Sequence, residues 1–197
     1  VDLGRHLNGI ARLDAASQRV RVQPGVIRDE LNRVLQPHGL FFTPETSTAN
    51  RAMIGGMAGN NSCGANSIVY GTTREHLVSV RGFLSDGSEV IFGPLTPAEF
   101  SAKCNAPESL ETSIYRSLRD LLADEKNRAL LRENFPQGTV TRRNTGYALD
   151  QLMDCAVFDP FAENPFNFCR LLPGAAGTLF LCAQSELNTE PLTPRGA

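Results

Sequence analysis

The sequence has little of what would mark it for several common roles. No apolar run approaches the ~18 residues that a membrane-crossing helix needs. Lys and Arg number 19 against 21 Asp and Glu, so the formal charge is −2. Without a basic excess there is no electrostatic footprint of a nucleic-acid binder. The five cysteines (Cys63, Cys104, Cys155, Cys169 and Cys182) are odd in number, and no two are spaced C-x-x-C. That spacing excludes neither thiol chemistry nor packing, but it argues against a disulfide framework or a zinc site. Reduced thiols in a cytoplasmic protein are the expected state. His6, His38 and His76 are scattered without metal-ligand spacing, so no metal is expected. An initiating Met is also lacking. The chain opens at Val1 on a strand-like segment and closes on a Pro-containing stretch at 191–197, which reads as a piece of a longer protein. No targeting peptide is visible.

What is there is globular: 197 residues, 41% hydrophobic, with 17 Gly, five of them between Gly55 and Gly71. That is enough chain to bury a sizeable core in one or two domains. Residues 19–23 alternate polar and apolar, as a half-buried strand does. Ile27, Leu31, Val34 and Leu35 share one helix face, which Pro37-His38-Gly39 stops. A strand over 77–84, with Val78, Val80 and Leu84 on one face, meets its return strand at 89–92 through Asp86-Gly87, a hairpin signal. A polar connector, 93–107, leads to a helix faced by Leu110, Ile114, Leu118 and Leu121. A charged helix over 124–134 follows and ends at Pro136-Gln137-Gly138. Residues 154–168 hold four Phe and two Pro, a loop pinned by aromatic burial, and 178–187 reads as a last strand. This order predicts an α+β fold rather than a doubly wound sheet.

Residues 43–71 lack periodicity and are rich in Gly, Asn, Ser and Thr, with Glu45 and Arg51 the charges that stand out. Long loops inside compact domains are uncommon and often functional. Glycine lets backbone close on a ligand, and successive N–H groups can cradle an anion. The segment therefore suits a large neutral-to-anionic cofactor. The same composition also fits a packed small-residue loop with no ligand. Neither G-x-G-x-x-G after a strand nor a Walker A lysine is present, since Ala65 follows Gly64.

The run Ile54-Gly55-Gly56-Met57-Ala58-Gly59-Asn60-Asn61-Ser62-Cys63-Gly64 resembles the second FAD-contacting stretch of FAD-linked oxidoreductases of the vanillyl-alcohol oxidase and p-cresol methylhydroxylase type. Val22-Gln23-Pro24-Gly25-Val26, Pro37-His38-Gly39-Leu40, Tyr70-Gly71, Asp86-Gly87, the run from Arg143-Asn144-Thr145-Gly146-Tyr147 to Asp150, and Gly174-Ala175-Ala176-Gly177-Thr178-Leu179 follow in the family's order. The Asn-Asn-Ser-Cys-Gly wording resembles most closely the members fused to an iron–sulfur module, in the group of glycolate oxidase subunits, D-lactate dehydrogenases and D-2-hydroxyglutarate dehydrogenases.

The resemblance implies an α+β FAD-binding domain with a mixed or antiparallel sheet flanked by helices. It implies a partial domain over 1–190, a helical insert at about 94–172, and the start of a linker at 191–197. The family's pyrophosphate loop would precede Val1, and its substrate domain would follow Pro194. The implied reaction is oxidation of a small D-2-hydroxy acid by hydride transfer to FAD, with electrons passed to an acceptor or iron–sulfur module. The fragment alone is expected to be inert.

By the same resemblance, Pro44, Glu45, Thr46, Ser47 and Thr48 lie along the flavin and its ribityl chain. Gly55 and Gly56 let a second run, Asn60, Asn61, Ser62, Cys63 and Gly64, approach it. Gly177, Thr178, Leu179, Phe180 and Leu181 form a late contact strand. The family usually has Glu where this chain has Ala176. Arg142 and Arg143 could stabilise the reduced ring or hold a substrate carboxylate, or could be a solvated surface pair. Tyr147 reads as a core residue, His38 and His76 as structural or surface residues, and Cys63 as a small packing residue. Two other readings stay open: a non-catalytic interaction module that keeps the fold, and an FAD-dependent sugar-nucleotide reductase.

Overall fold

The computed structural model describes residues 3–137, 139–140, 143 and 146–192. Ile10–Asp14 (β1) and Arg19–Val22 (β2) pair as an antiparallel hairpin. Arg28–Leu35 (α1) buries Leu31 and Leu35 but leaves Val34 exposed. A 3-10 turn follows it and ends at Gly39, whose φ of 68° suits glycine. Leu40–Phe41 (β3) leads to the glycine-rich segment. That segment contains two short helices, Ile54–Asn60 (α2) and Ser67–Tyr70 (α3), where sequence periodicity showed no element. Thr73–His76 (α4) then turns into Leu77–Phe83 (β4), and Glu89–Phe92 (β5) returns beside it.

Pro94–Leu95 (β6) and Pro97–Asn105 (α5) occupy the stretch expected to be a polar connector. Leu110–Ala123 (α6) and Glu125–Asn134 (α7) are the two expected helices. Their starts are fixed by side chains: Ser109 accepts from Thr112 N at 3.1 Å and Asp124 from Lys126 N at 2.9 Å. On α6 the inward residues are Thr112, Tyr115, Leu118 and Leu122, so Leu121 faces outward rather than into the core. Asp150–Met153 (α8), Phe166–Asn167 (β7), a second 3-10 turn at Phe168–Arg170, Leu181–Asn188 (β8) and Glu190–Pro191 (β9) complete the described elements.

The main sheet has the strand order β1-β2-β8-β4-β5, antiparallel throughout, so the fold is α+β. Val20, Val22, Val80, Val90, Phe92 and Leu187 project from it into one core with Leu31, Leu35, Phe42 and Ile54. Leu77 and Val78 are both buried, because the β4·β8 register shifts between Leu77 and Ser79.

Aromatic rings join the helical block to the sheet. Phe92 of β5 stacks on Phe168 with ring centroids 4.5 Å apart, and Tyr115 of α6 contacts Phe92, Phe100, Phe166 and Phe168. Phe166 and Phe168 thus pin the 154–168 region as its composition suggested. Phe161 does not take part: it is 93% exposed. Among the described residues no helix is long and apolar enough to cross a membrane.

Candidate functional site

The site is built where α2 meets the turn before β8. Ile54 and Met57 anchor α2 in the core. Gly55 lets the helix lie directly on Pro24, since a Cβ there would come within 2.6 Å of the Pro24 Cβ. The helix ends at Asn61 in the left-handed region, φ 49°, a conformation that Asn tolerates better than most residues. Gly59 O, at the end of this helix, accepts from Gly174 N at 3.1 Å and from Ala176 N at 2.8 Å. These bonds hold the 174–177 turn against α2. The turn has positive φ at Gly174 (92°), Ala176 (51°) and Gly177 (75°).

Together these segments line a cleft of about 560 Å³. Gly55, Gly56, Gly59 and Gly177 supply bare backbone. Pro24, Leu77, Val80, Phe180 and Leu181 supply apolar wall, and Asn60 and the fully buried Ser185 supply polar atoms. No charged side chain is among the described residues lining it. A Cβ added to Gly56 or Gly177 would meet no protein atom within 4 Å. Bare backbone beside open space, with apolar walls and few directional polar groups, fits a flat, uncharged ring system. It does not fit a diphosphate, which needs cations or a nest of amides.

Of the residues named from sequence, the fold brings Gly55, Gly56, Asn60, Gly177, Leu179, Phe180 and Leu181 to the cleft. Pro44, Glu45, Thr46, Ser47 and Thr48 form a neighbouring strap that does not line it. Gly64 packs directly on the Glu45 backbone, and Asn66 Nδ2 donates to Glu45 Oε2 at 2.9 Å. Within the strap, Thr46 Oγ1 is buried with no hydrogen-bond partner among the described residues. A buried hydroxyl left unpaired is costly, so it marks a place where a ligand polar atom fits.

Asn61, Ser62, Cys63 and Gly64 lie behind the cleft. Asn61 Oδ1 accepts from Thr72 Oγ1 at 2.8 Å and from Arg74 N at 2.9 Å, while Ser62 O accepts from Thr73 N and Thr73 Oγ1. Thr178 also stands outside the cleft lining. Its hydroxyl donates to Ala175 O at 2.7 Å and lies 2.9 Å from the Tyr147 hydroxyl. Tyr147 is 47% exposed, so it is not a core residue as expected; its ring is held at the surface by Thr178. His76 is buried, with the Thr43 hydroxyl and Tyr70 O each 2.7 Å from its Nε2, and so is structural as expected.

Arg143 is elsewhere. It pairs with Asp150 and lines a second, polar cavity beside α7 and α8. Its guanidinium is mostly buried rather than solvated. Arg142 lies outside the described residues. Sequence reasoning missed Pro24, Leu77, Val80, Cys182 and Ser185 as cleft walls. Ser185 carried a signal, since a small polar residue on the inward side of a final strand is an unusual core choice.

Residues 1–93 match the family described as FAD binding domain. Over 98% of its length the chain is 36% identical to a D-2-hydroxyglutarate dehydrogenase of Pseudomonas putida, and over 95% it is 36% identical to one of Escherichia coli. It covers 18% and 17% of those proteins, so it spans under a fifth of the curated relatives it matches along its whole length. A mitochondrial D-lactate dehydrogenase (cytochrome) of Saccharomyces cerevisiae is 33% identical over 46% of the chain, covering 15% of that protein. A solved structure of alkyldihydroxyacetonephosphate synthase shares the fold, with TM-score 0.53 and 14% identity over 95% of this chain and 22% of that one. The antiparallel sheet and its flanking helices are thus an α+β fold shared with that synthase. The cleft spans both regions of the chain: α2 lies within the matched FAD-binding residues, and the 174–181 wall lies beyond them.

Proposed function

We propose that this chain is the flavin-holding body of a dehydrogenase that oxidises a small D-2-hydroxy acid, working within a longer polypeptide. The carrying observation is the glycine-floored cleft between α2 and the 174–181 segment, with no charged side chain among its described lining residues, in a chain similar along its length to D-2-hydroxyglutarate dehydrogenases. Bound FAD would supply the hydride acceptor.

The chain's own residues orient and shield. Gly56 and Gly177 let backbone approach a ring face without a Cβ between them. Leu179, Phe180 and Leu181 exclude water along one wall, and Asn60 offers a neutral donor and acceptor at the rim. The strap of Pro44, Glu45, Thr46, Ser47 and Thr48 offers the unpaired Thr46 hydroxyl to a ribityl or sugar oxygen. Gly64 packs on the Glu45 backbone and so backs that strap. Bound flavin would pass its electrons to an acceptor or iron–sulfur module outside this chain, in a cytoplasmic protein.

The test is purification of the full-length protein followed by anaerobic titration with D-2-hydroxyglutarate, D-lactate and glycolate. The expected result is copurified yellow flavin bleached by at least one of these acids. Gly56→Leu should lose the flavin while keeping the far-ultraviolet circular dichroism of the wild type. A colourless full-length protein that FAD does not reconstitute overturns the proposal.

A further inference from the structure

The second cavity, about 330 Å³, lies where α4, α7 and α8 converge. Among the described residues its charged lining is balanced: Arg74, Arg132 and Arg143 stand with Glu75, Asp150 and Asp154. Two of these groups are buried and incompletely partnered. Arg74 is 3% exposed; its Nη2 donates to Pro173 O at 2.6 Å, yet its Nε has no hydrogen-bond partner among the described residues. Asp150 is 8% exposed; one carboxylate oxygen takes Arg143 and Gln151, while Oδ1 has no partner among the described residues.

A buried N–H and a buried carboxylate oxygen left unpaired on two residues that line the same cavity are expensive unless something satisfies both. The occupant must present an acceptor to Arg74 and a donor to Asp150. A simple anion would meet three carboxylates, and a simple cation three guanidiniums. A molecule carrying both charges side by side meets each with its opposite. Leu131, Phe135, Val140 and Met153 add apolar lining for a hydrocarbon substituent.

We propose that this cavity is a binding site for an α-amino acid with an apolar side chain. Its carboxylate lies on Arg74, its ammonium on Asp150 Oδ1, and its side chain against Leu131 and Phe135. The site is separate from the cleft but mechanically joined to it. Arg74 holds Pro173, immediately before the 174–177 turn of the cleft, and its backbone N–H is held by Asn61 at the end of α2. An amino acid that draws on the Arg74 guanidinium therefore acts on both walls of the cleft, the arrangement of an effector site.

The test is calorimetric titration of the wild-type protein with L-leucine and L-methionine. The comparison probes are 4-methylpentanoate (carboxylate alone), isopentylamine (ammonium alone) and 2-hydroxy-4-methylpentanoate (hydroxyl in place of ammonium). Saturable binding of an amino acid is expected, with each comparison probe weaker by about tenfold or more, a difference of ~1.4 kcal/mol. Asp150→Asn should weaken the amino acid by a similar factor in a protein that still unfolds cooperatively. Absence of binding by both amino acids to the folded wild type overturns the proposal. So does equal binding of 4-methylpentanoate or of the hydroxy acid. If Asp150→Asn does not fold, the wild-type probe series alone decides.

Discussion

The side-chain carbonyl of Asn61 accepts a hydrogen bond from the backbone N–H of Arg74 at 2.9 Å, with both residues buried. One amide thereby ends α2, receives the Thr72 hydroxyl and fixes the start of α4. Asn61 also holds φ at 49°, so it does two things that few residues combine. Asn61→Ala leaves the Arg74 N–H without its acceptor and strains the backbone, and should cost roughly 2–4 kcal/mol. Asn61→Gly loses the acceptor but relieves the strain, so it should cost less. Urea unfolding of the two variants beside the wild type checks the order.

Ala176 adopts φ 51° in the turn that lines the cleft. Alanine gains nothing from that conformation, whereas glycine reaches it freely. Ala176→Gly should therefore raise stability by about 0.5–1 kcal/mol after allowing for the greater freedom of glycine in the unfolded chain. An upward shift of the urea midpoint at unchanged slope is the expected reading. A downward shift would mean that the Ala176 methyl packs usefully in the cleft.

Helix α5 carries a pH-sensitive cap. The Glu99 carboxylate accepts from Thr96 N and from Thr96 Oγ1, both at 2.8 Å, and these bonds, the backbone one first, lower its pKa from the ordinary 4.5. A carboxyl whose folded pKa is depressed contributes stability above its unfolded pKa and loses it as pH falls through the folded value. The cap should therefore weaken as pH drops below about 4.5. Glu99→Gln should flatten that part of the pH–stability curve. Titration of the Glu99 side chain by NMR should place its midpoint below 4.5, with Thr96→Val returning it upward.

The thiols differ in predicted reactivity. Burial pushes the pKa of Cys169 far up, and that of Cys155, Cys104 and Cys182 upward as well. The thiolate is the reactive species, so these four should resist iodoacetamide near neutral pH in the native protein. Mass spectrometry after brief labelling should find Cys169 unmodified until denaturant is added. Labelling of Cys169 in native buffer would show that the Phe92–Phe168 stack opens readily.

Much of the scaffold was legible in the sequence because it follows simple periods. The alternation at 19–22, the Asp86-Gly87 turn and the spacing of Leu31 and Leu35 each survive packing unchanged. Helix α2 was not legible. It has two buried anchors, Ile54 and Met57, among weak helix formers, and it forms because Pro24 and the 174–177 turn close on it. Helix α5 could have been read from Pro97 at its first turn and the Thr96–Glu99 spacing, signals that a polar composition concealed. The half of the cleft supplied by Val80, Cys182 and Ser185 depends on strand register, which distant pairing decides and local sequence does not.

The position of β8 constrains how the molecule can be made. This strand is nearly the last described element, yet it stands in the middle of the sheet, between β2 and β4. Until residues 181–188 leave the ribosome, the β1–β2 and β4–β5 hairpins have no partner to join them, and each exposes an open edge. The sheet therefore closes as one late event, over contacts that span more than 160 residues between β2 and β8, Arg19 with Asn188 being the outermost, and about a hundred between β4 and β8. During synthesis, the growing chain is exposed to edge-to-edge association until that strand arrives.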